Sequence, residues 1–259
     1  MSRPPFRPEP VPVTLSDVYA IDFGRRTEDV PLWIALAQRA IPGAPICEVG
    51  VGDGRASAAL AGERYGIDID RAFVYRARGR GIHAVQGDAA AHASWGPIPR
   101  DCGLVFCAYS TLFLIAHARQ ADVLRNMAAA LRPGGTLAIE VFIPSFDQPV
   151  IRELAVGNPN GVGPAWTRQT DFDVARHADG VTGTTRARRL YGPDRDDRRM
   201  ELDEMIYWRT PAGLLPLFDA AGLPGVNLAT YSPTALGGVA STIPLGSVLA
   251  TWTRPLEAK

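Results

Sequence analysis

An apolar run from Ile46 to Val49 carries Glu48 and ends against glycines at 50, 52 and 54 (I-C-E-V-G-V-G-D-G). A strand that turns sharply at its end needs residues that tolerate unusual φ and let a ligand approach the backbone, and glycine does both. The spacing departs from the dinucleotide fingerprint G-x-G-x-x-G, because Arg55 stands where the third glycine belongs. Asp68, in Y-G-I-D-I-D, lies 18 positions after Gly50 (68 − 50). Doubly wound folds place a ribose-binding acid about there, where two carboxylate oxygens suit a diol. Asp88 closes a further apolar run, I-H-A-V-Q-G-D-A.

The elements needed to hold these residues can be read around them. Strands are expected near 45–49, 65–69, 82–86, 102–107 and 136–143, with helices near 54–62, 71–78 and 118–131. Alternating short strands and helices signify a parallel sheet covered on both faces. Ahead of it, five prolines in 1–13 suggest an extended arm. Ser16 and Thr27 are cap candidates for helices over Asp17–Phe23 and Leu32–Ala40, with Pro31 suited to a first turn. Beyond Pro144, Asn158 to Pro164 reads as a loop. Two alternating runs near 181–191 and 199–208 read as an antiparallel hairpin. Thr210-Pro211 opens a last helix, and strands near 225–231 and 245–253 complete the sheet.

Composition excludes several roles. The 27 basic and 27 acidic residues cancel, which argues against nucleic acid or an anionic membrane held by bulk charge. Lys259 is the only lysine, so the fold interior offers none as a base. Cysteines 47, 102 and 107 lie in apolar runs and fit neither a disulfide framework nor a zinc site; no His pair has ligand spacing, so no metal is expected. No apolar run nears the ~20 residues of a membrane span. With no signal-like segment either, the reading is a cytoplasmic protein.

The form E-x-G-x-G-x-G, followed by Asp68, Gly87-Asp88 and the Pro133-Gly134-Gly135 turn, resembles the class I methyltransferases that use S-adenosylmethionine (SAM). The resemblance implies an α/β fold: a doubly wound, Rossmann-like, seven-stranded sheet with an inserted antiparallel hairpin covering the substrate side. It divides the chain into an arm and helical lid (1–43), a SAM-binding core (44–144), an inserted acceptor-side segment (145–209) and a closing helix with final strands (210–259). The plan looks most like small-molecule enzymes, the N-methyltransferases of amino sugars and secondary metabolites; O-methylation is the close rival. The Asp/Asn-Pro-Pro-aromatic loop of DNA amino-methylating enzymes is absent, since C-A-Y-S stands there. An NAD-binding oxidoreductase and a catalytically idle SAM-binding scaffold stay open as alternatives.

By the same resemblance, the backbone at Gly50, Gly52 and Gly54 admits the cofactor's amino-acid and sugar portions. Glu48 orders the turn or reaches the ammonium. Asp68 with Ile69 takes the ribose side, Asp88 and the Ala89 N–H the adenine, and the Cys107 carbonyl the ammonium. Each has a plainer alternative: Asp88 could cap its turn, and Asp70 is the better cap for the next helix. Tyr19 either closes over the cofactor from the lid or packs as core. Arg25 and Arg26 either clamp the SAM carboxylate or are solvated. Tyr109, just past the fourth strand, could orient the acceptor, take its proton, or form a wall with Trp166, Tyr191, Tyr207 and Trp208. His177 could face substrate. The acceptor itself, the methylated atom and the oligomeric state are not encoded in these patterns.

Overall fold

The computed structural model describes residues 14–24, 26–142, 152–156, 166–192, 200–231 and 247–256. The expected arm over 1–13, Arg25 and the 158–164 loop lie outside the described residues. Two short helices, α1 (Leu15–Gly24) and α2 (Val30–Arg39), precede the sheet. The cap of α1 is Thr14 rather than Ser16: Thr14 Oγ1 accepts from Asp17 N–H, and the Asp17 carboxylate accepts from Thr14 N–H, a reciprocal box. At α2, Thr27 supplies its carbonyl to Val30 N–H, not its side chain. Pro31 sits in the first turn as expected.

The core alternates β1 (Ile46–Val49), β2 (Arg64–Asp68), α3 (Arg71–Gly79), β3 (His83–Gln86), β4 (Cys102–Cys107), α4 (His117–Ala130) and β5 (Leu131–Phe142). An inserted sheet follows, β6 (Arg152–Val156), β7 (Trp166–Arg176), β8 (Thr182–Gly192) and β9 (Met200–Arg209). Helix α5 (Pro211–Ala220) and strands β10 (Asn227–Tyr231) and β11 (Ser247–Thr253) close the chain. The main sheet has seven strands in the order β10-β11-β5-β4-β1-β2-β3. Strands β1 to β5 run parallel, and β11 is antiparallel to β5. The chain winds from β1 to β3 in one direction and from β4 to β5 in the other. The ends of β1 and β4, in register at Val49 and Cys107, are therefore the switch point at which such sheets bind ligands.

Alternation along β1 and β4 feeds two cores. Cys47, Val49, Val105 and Cys107 face one packed with Trp95, Phe113, Met127 and Phe218. Ile46, Leu104 and Phe106 face the other, where Trp33 of α2 stacks on Phe106 at 4.6 Å. Asp70 and Thr210 cap α3 and α5 as expected, accepting from Ala72 and Phe73 N–H and from Gly213 N–H.

Two expectations are corrected. The helix near 54–62 is a single 3₁₀ turn, Ser57–Ala59. Ser57 N–H and Oγ are bound to Glu48, and the chain must straighten by Leu60 and turn at Gly62 (φ +90°) so that Glu63 O meets Ile46 N–H. The expected hairpin is the β8–β9 half of a four-stranded antiparallel sheet. Its β7 partner alternates Phe172 and Val174 with Asp171 and Asp173, but Arg168 and Thr170 occupy the same face as Phe172 and obscure the pattern.

Candidate active site

The glycine turn is built by close packing on one side only. Gly50, Gly52 and Gly54 all have positive φ, +66°, +53° and +85°. A Cβ on Gly50 would meet Thr111 Cγ2 at 2.1 Å and one on Gly54 would meet Ile82 Cδ1 at 2.5 Å, whereas one on Gly52 would meet nothing within 4 Å. The outer two glycines close the protein; the middle one faces open space. Asp68 holds that middle residue, accepting from Gly52 N–H at 2.8 Å and, through its other oxygen, from Asp70 N–H at 2.9 Å. Burial raises its carboxyl above the ordinary value, against those hydrogen bonds. Ile69 beside it is 72 % exposed, an unusual position for a large apolar side chain.

Glu48 is buried under the turn and accepts from Ser57 N–H (3.1 Å) and Ser57 Oγ (2.5 Å). Loss of water pushes its carboxyl up to about 8. Its described bonds are those of a turn-ordering residue. Asp88 Oδ1 accepts from Ala90 N–H at 2.9 Å and Oδ2 pairs with Arg119 at 2.7 Å, which leaves each oxygen one further lone pair. Ala89 O accepts from Trp95 Nε1 and Asn126 Nδ2. Cys107 is wholly buried, its thiol raised by burial, as a core side chain.

Across the switch point, Tyr109 and Ser110 both adopt left-handed φ, +54° and +60°. Non-glycine residues there carry strain that surrounding structure must hold. Glu140, buried in β5, accepts from Tyr109 N–H at 2.7 Å; Ser110 Oγ accepts from Phe142 N–H at 2.7 Å. The Tyr109 ring lies edge-on to Phe23 (5.7 Å) and Phe142 (5.1 Å), and its hydroxyl accepts from Arg26 Nη1 at 2.7 Å. Burial pushes the phenol up to about 12, which disfavours its ionised form. Arg26, expected as a carboxylate clamp or solvated, is partly exposed, donates to Tyr109 and lies 3.7 Å from Asp22 Oδ1.

His177 is placed elsewhere. It lies exposed in the β7–β8 turn, with Nδ1 2.9 Å from Thr182 Oγ1 and its ring against His117 at 5.4 Å; no described contact links it to Tyr109. Tyr19 lies on α1, but its side chain is outside the described residues, as is that of Trp166. The remaining wall aromatics divide. Trp208 is core, Tyr207 lies edge-on to His117, and buried Tyr191 donates to Asp22 Oδ2 at 3.0 Å. Four residues of this neighbourhood were not read from sequence: Asp22, Asp29, Glu140 and Arg168. A lone carboxylate inside the apolar run L-A-I-E-V-F was a signal for Glu140. No local signal existed for Asp22, which pairs with Arg168 across 146 positions. Among the described residues no group of side chains could hold a metal, and no helix is long and apolar enough to cross a membrane.

Residues 46–135 match the family described as "Methyltransferase domain". No curated protein matches the chain. Among solved structures, DesVI of Streptomyces venezuelae superposes with a TM-score of 0.67 at 17 % identity, over 95 % of this chain and 100 % of that one. KedS8, a sugar N-methyltransferase from Streptoalloteichus sp., gives 0.65 at 18 % identity over 98 % and 99 %. SAM-bound CalS10 of Micromonospora echinaspora, an amino pentose methyltransferase involved in calicheamicin biosynthesis, gives 0.64 at 20 % identity over 95 % and 100 %. At these identities the likeness establishes the fold, which is the Rossmann-like fold of class I methyltransferases. The domain match, over residues 46–135, falls on the strands and turns that build this site.

Proposed function

We propose that the chain transfers a methyl group to nitrogen or oxygen of a small molecule, with an amino sugar or related secondary metabolite as first candidate. The observation that carries this reading is the meeting of the β1 glycine turn and the strained Tyr109–Ser110 turn at one switch point. The sugar and amino-pentose acceptors named for the similar structures support the acceptor class.

SAM supplies a methyl group already activated on sulfonium, so the protein's work is alignment and exclusion of water. Open space at Gly52, Asp68 with spare lone pairs and exposed Ile69 fit a polar tail, a diol and a flat base in that order. In this reading Gly50 and Gly54 hold the turn closed, and Glu48 braces it from below. Asp88 and the Ala89 N–H meet the adenine, the Cys107 carbonyl meets the ammonium, and Tyr19 covers the cofactor. Tyr109 stays protonated at neutral pH and receives Arg26, so its own proton is left to hydrogen-bond the acceptor. It orients the acceptor and does not deprotonate it. His177 stands as the second catalytic candidate, and its place in the β7–β8 turn, against Thr182 and His117, makes it the weaker of the two.

Calorimetry with SAM, S-adenosylhomocysteine and NAD tests the cofactor site, and mass spectrometry over a panel of amino sugars and hydroxylated metabolites tests the acceptor. Adenosyl-ligand affinity near micromolar, about −8 kcal/mol, is expected. NAD binding with neither adenosyl ligand bound would overturn the site. Tight SAM binding with no methylated product across the panel would favour an idle binder.

A further inference from the structure

Arg55, the residue that breaks the dinucleotide fingerprint, is a hub. Its side chain is 12 % exposed. Nη1 donates to Arg26 O at 2.7 Å and to Asp29 Oδ1 at 2.5 Å; Nη2 donates to Asp29 Oδ2 at 2.9 Å. Its guanidinium carbon lies 5.3 Å from the centre of the Tyr109 ring. Arg26, whose carbonyl it holds, reaches the Tyr109 hydroxyl. The glycine turn, the loop between α1 and α2, and Tyr109 thus meet at one side chain.

The docking of α2 does not explain this expenditure. Trp33 already donates its indole N–H to Asp29 at 2.8 Å and stacks on Phe106. The additional bonds of Arg55 fall on the loop that carries Arg26. A planar fork matching both carboxylate oxygens fixes orientation as well as distance, which a lysine ammonium cannot do.

We propose that Arg55 is a positioning residue that couples the two halves of the site. An ordered glycine turn fixes Arg55; Arg55 fixes the 26–29 loop; and Arg26 then fixes the Tyr109 hydroxyl where the acceptor is oriented. Cofactor binding at the turn therefore sets the acceptor side before the acceptor arrives. The inference rests on the reading of Tyr109 as an acceptor-side group.

Hydrogen exchange with and without saturating S-adenosylhomocysteine tests it on the wild type, R55K and D29N. In the wild type the ligand should slow exchange at least tenfold both at 50–54 and across 26–33. In R55K it should still bind and still slow 50–54, while slowing across 26–33 falls below threefold. D29N, which keeps Arg55 but replaces one carboxylate oxygen by a donor, should behave the same way and serves if R55K does not fold. A residue that only stabilised the fold would lower the melting temperature and leave the ligand-dependent slowing of 26–33 intact. That result, or a wild type in which the ligand binds but 26–33 does not respond, overturns the coupling alone. Failure of the ligand to bind the wild type overturns the cofactor site as well.

Discussion

The glycine turn and the inserted sheet solve the same problem, holding polar groups away from water, at very different ranges. In the turn the partners are close in sequence: 16 positions from Gly52 to Asp68, 9 from Glu48 to Ser57, 2 from Asp68 to Asp70. On the proposed acceptor side they are 83 positions apart for Arg26 and Tyr109, 146 for Asp22 and Arg168, and 169 for Asp22 and Tyr191. The turn is also satisfied internally. The inserted sheet buries the Thr170 and Thr185 hydroxyls and the Arg168 Nε with no hydrogen-bond partner among the described residues. A locally closed, satisfied site suits one fixed ligand. A site assembled from distant segments, with polar atoms left over, can change its ligand without disturbing the other half.

The largest expected effect tests whether the inserted sheet is fold or site. Trp208 is 1 % exposed, lies in the main core and presses against Gly183, where a Cβ would meet its ring at 2.0 Å. Trp208→Ala should cost about 3–5 kcal/mol of stability. S-adenosylhomocysteine affinity of the folded fraction should stay within about threefold of wild type. A loss of affinity matching the loss of stability would mean that the two regions are one cooperative site.

The same contrast explains what was legible in the sequence. The positions of the core strands, the glycine turn, the placement of Asp68 at the end of β2 and the Asp70 cap were readable because each depends on neighbours within about 20 positions. The 3₁₀ turn at 57–59 was missed because Glu48 captures Ser57, a side-chain bond that periodicity does not report. Strand β7 was missed because the face it shares with Phe172 carries Arg168 and Thr170, so polarity no longer marks the outside. The environment of Tyr109 was unreadable in principle. Its backbone is held by a carboxylate 31 positions away and its hydroxyl by an arginine 83 positions away.

Next in size, Asp68→Ala removes the acceptor for Gly52 N–H inside the proposed cofactor site. A loss of about 1.5–3 kcal/mol in SAM affinity is expected, read by calorimetry. Asp70→Ala removes only the α3 cap and should cost about 1 kcal/mol of stability with little change in affinity. Equal losses of affinity in the two variants would remove Asp68 from the ribose.

Glu48 gives a pH signature of the satisfied turn. Its carboxyl is near 8 when folded and near 4.5 when unfolded, so between those values the native state holds more protons. Stability should therefore fall as pH rises from about 4.5 to 8, with a slope of up to about 1.4 kcal/mol per pH unit from this group. Glu48→Gln should flatten that slope in urea titrations across the window. A variant as pH-dependent as wild type would show that Glu48 is ionised beneath the turn.

The smallest effect bears on the leftover polar atoms. Thr170 and Thr185 are 2 % and 3 % exposed, and both lie on the face of the inserted sheet that carries Phe172, Ala187 and Ile206. An unpaired buried hydroxyl is a net cost, so replacing it by a methyl group of similar size should be neutral or should stabilise by about 1 kcal/mol. Thr170→Val and Thr185→Val should thus melt at or above the wild-type temperature. If the hydroxyls are kept for an acceptor that reaches them, the same variants should raise acceptor KM severalfold at unchanged SAM affinity. That combination, a more stable protein that binds its acceptor less well, separates a site from a packing flaw. Gains in stability with unchanged KM would assign these hydroxyls to the fold and confine acceptor recognition to the Tyr109 side.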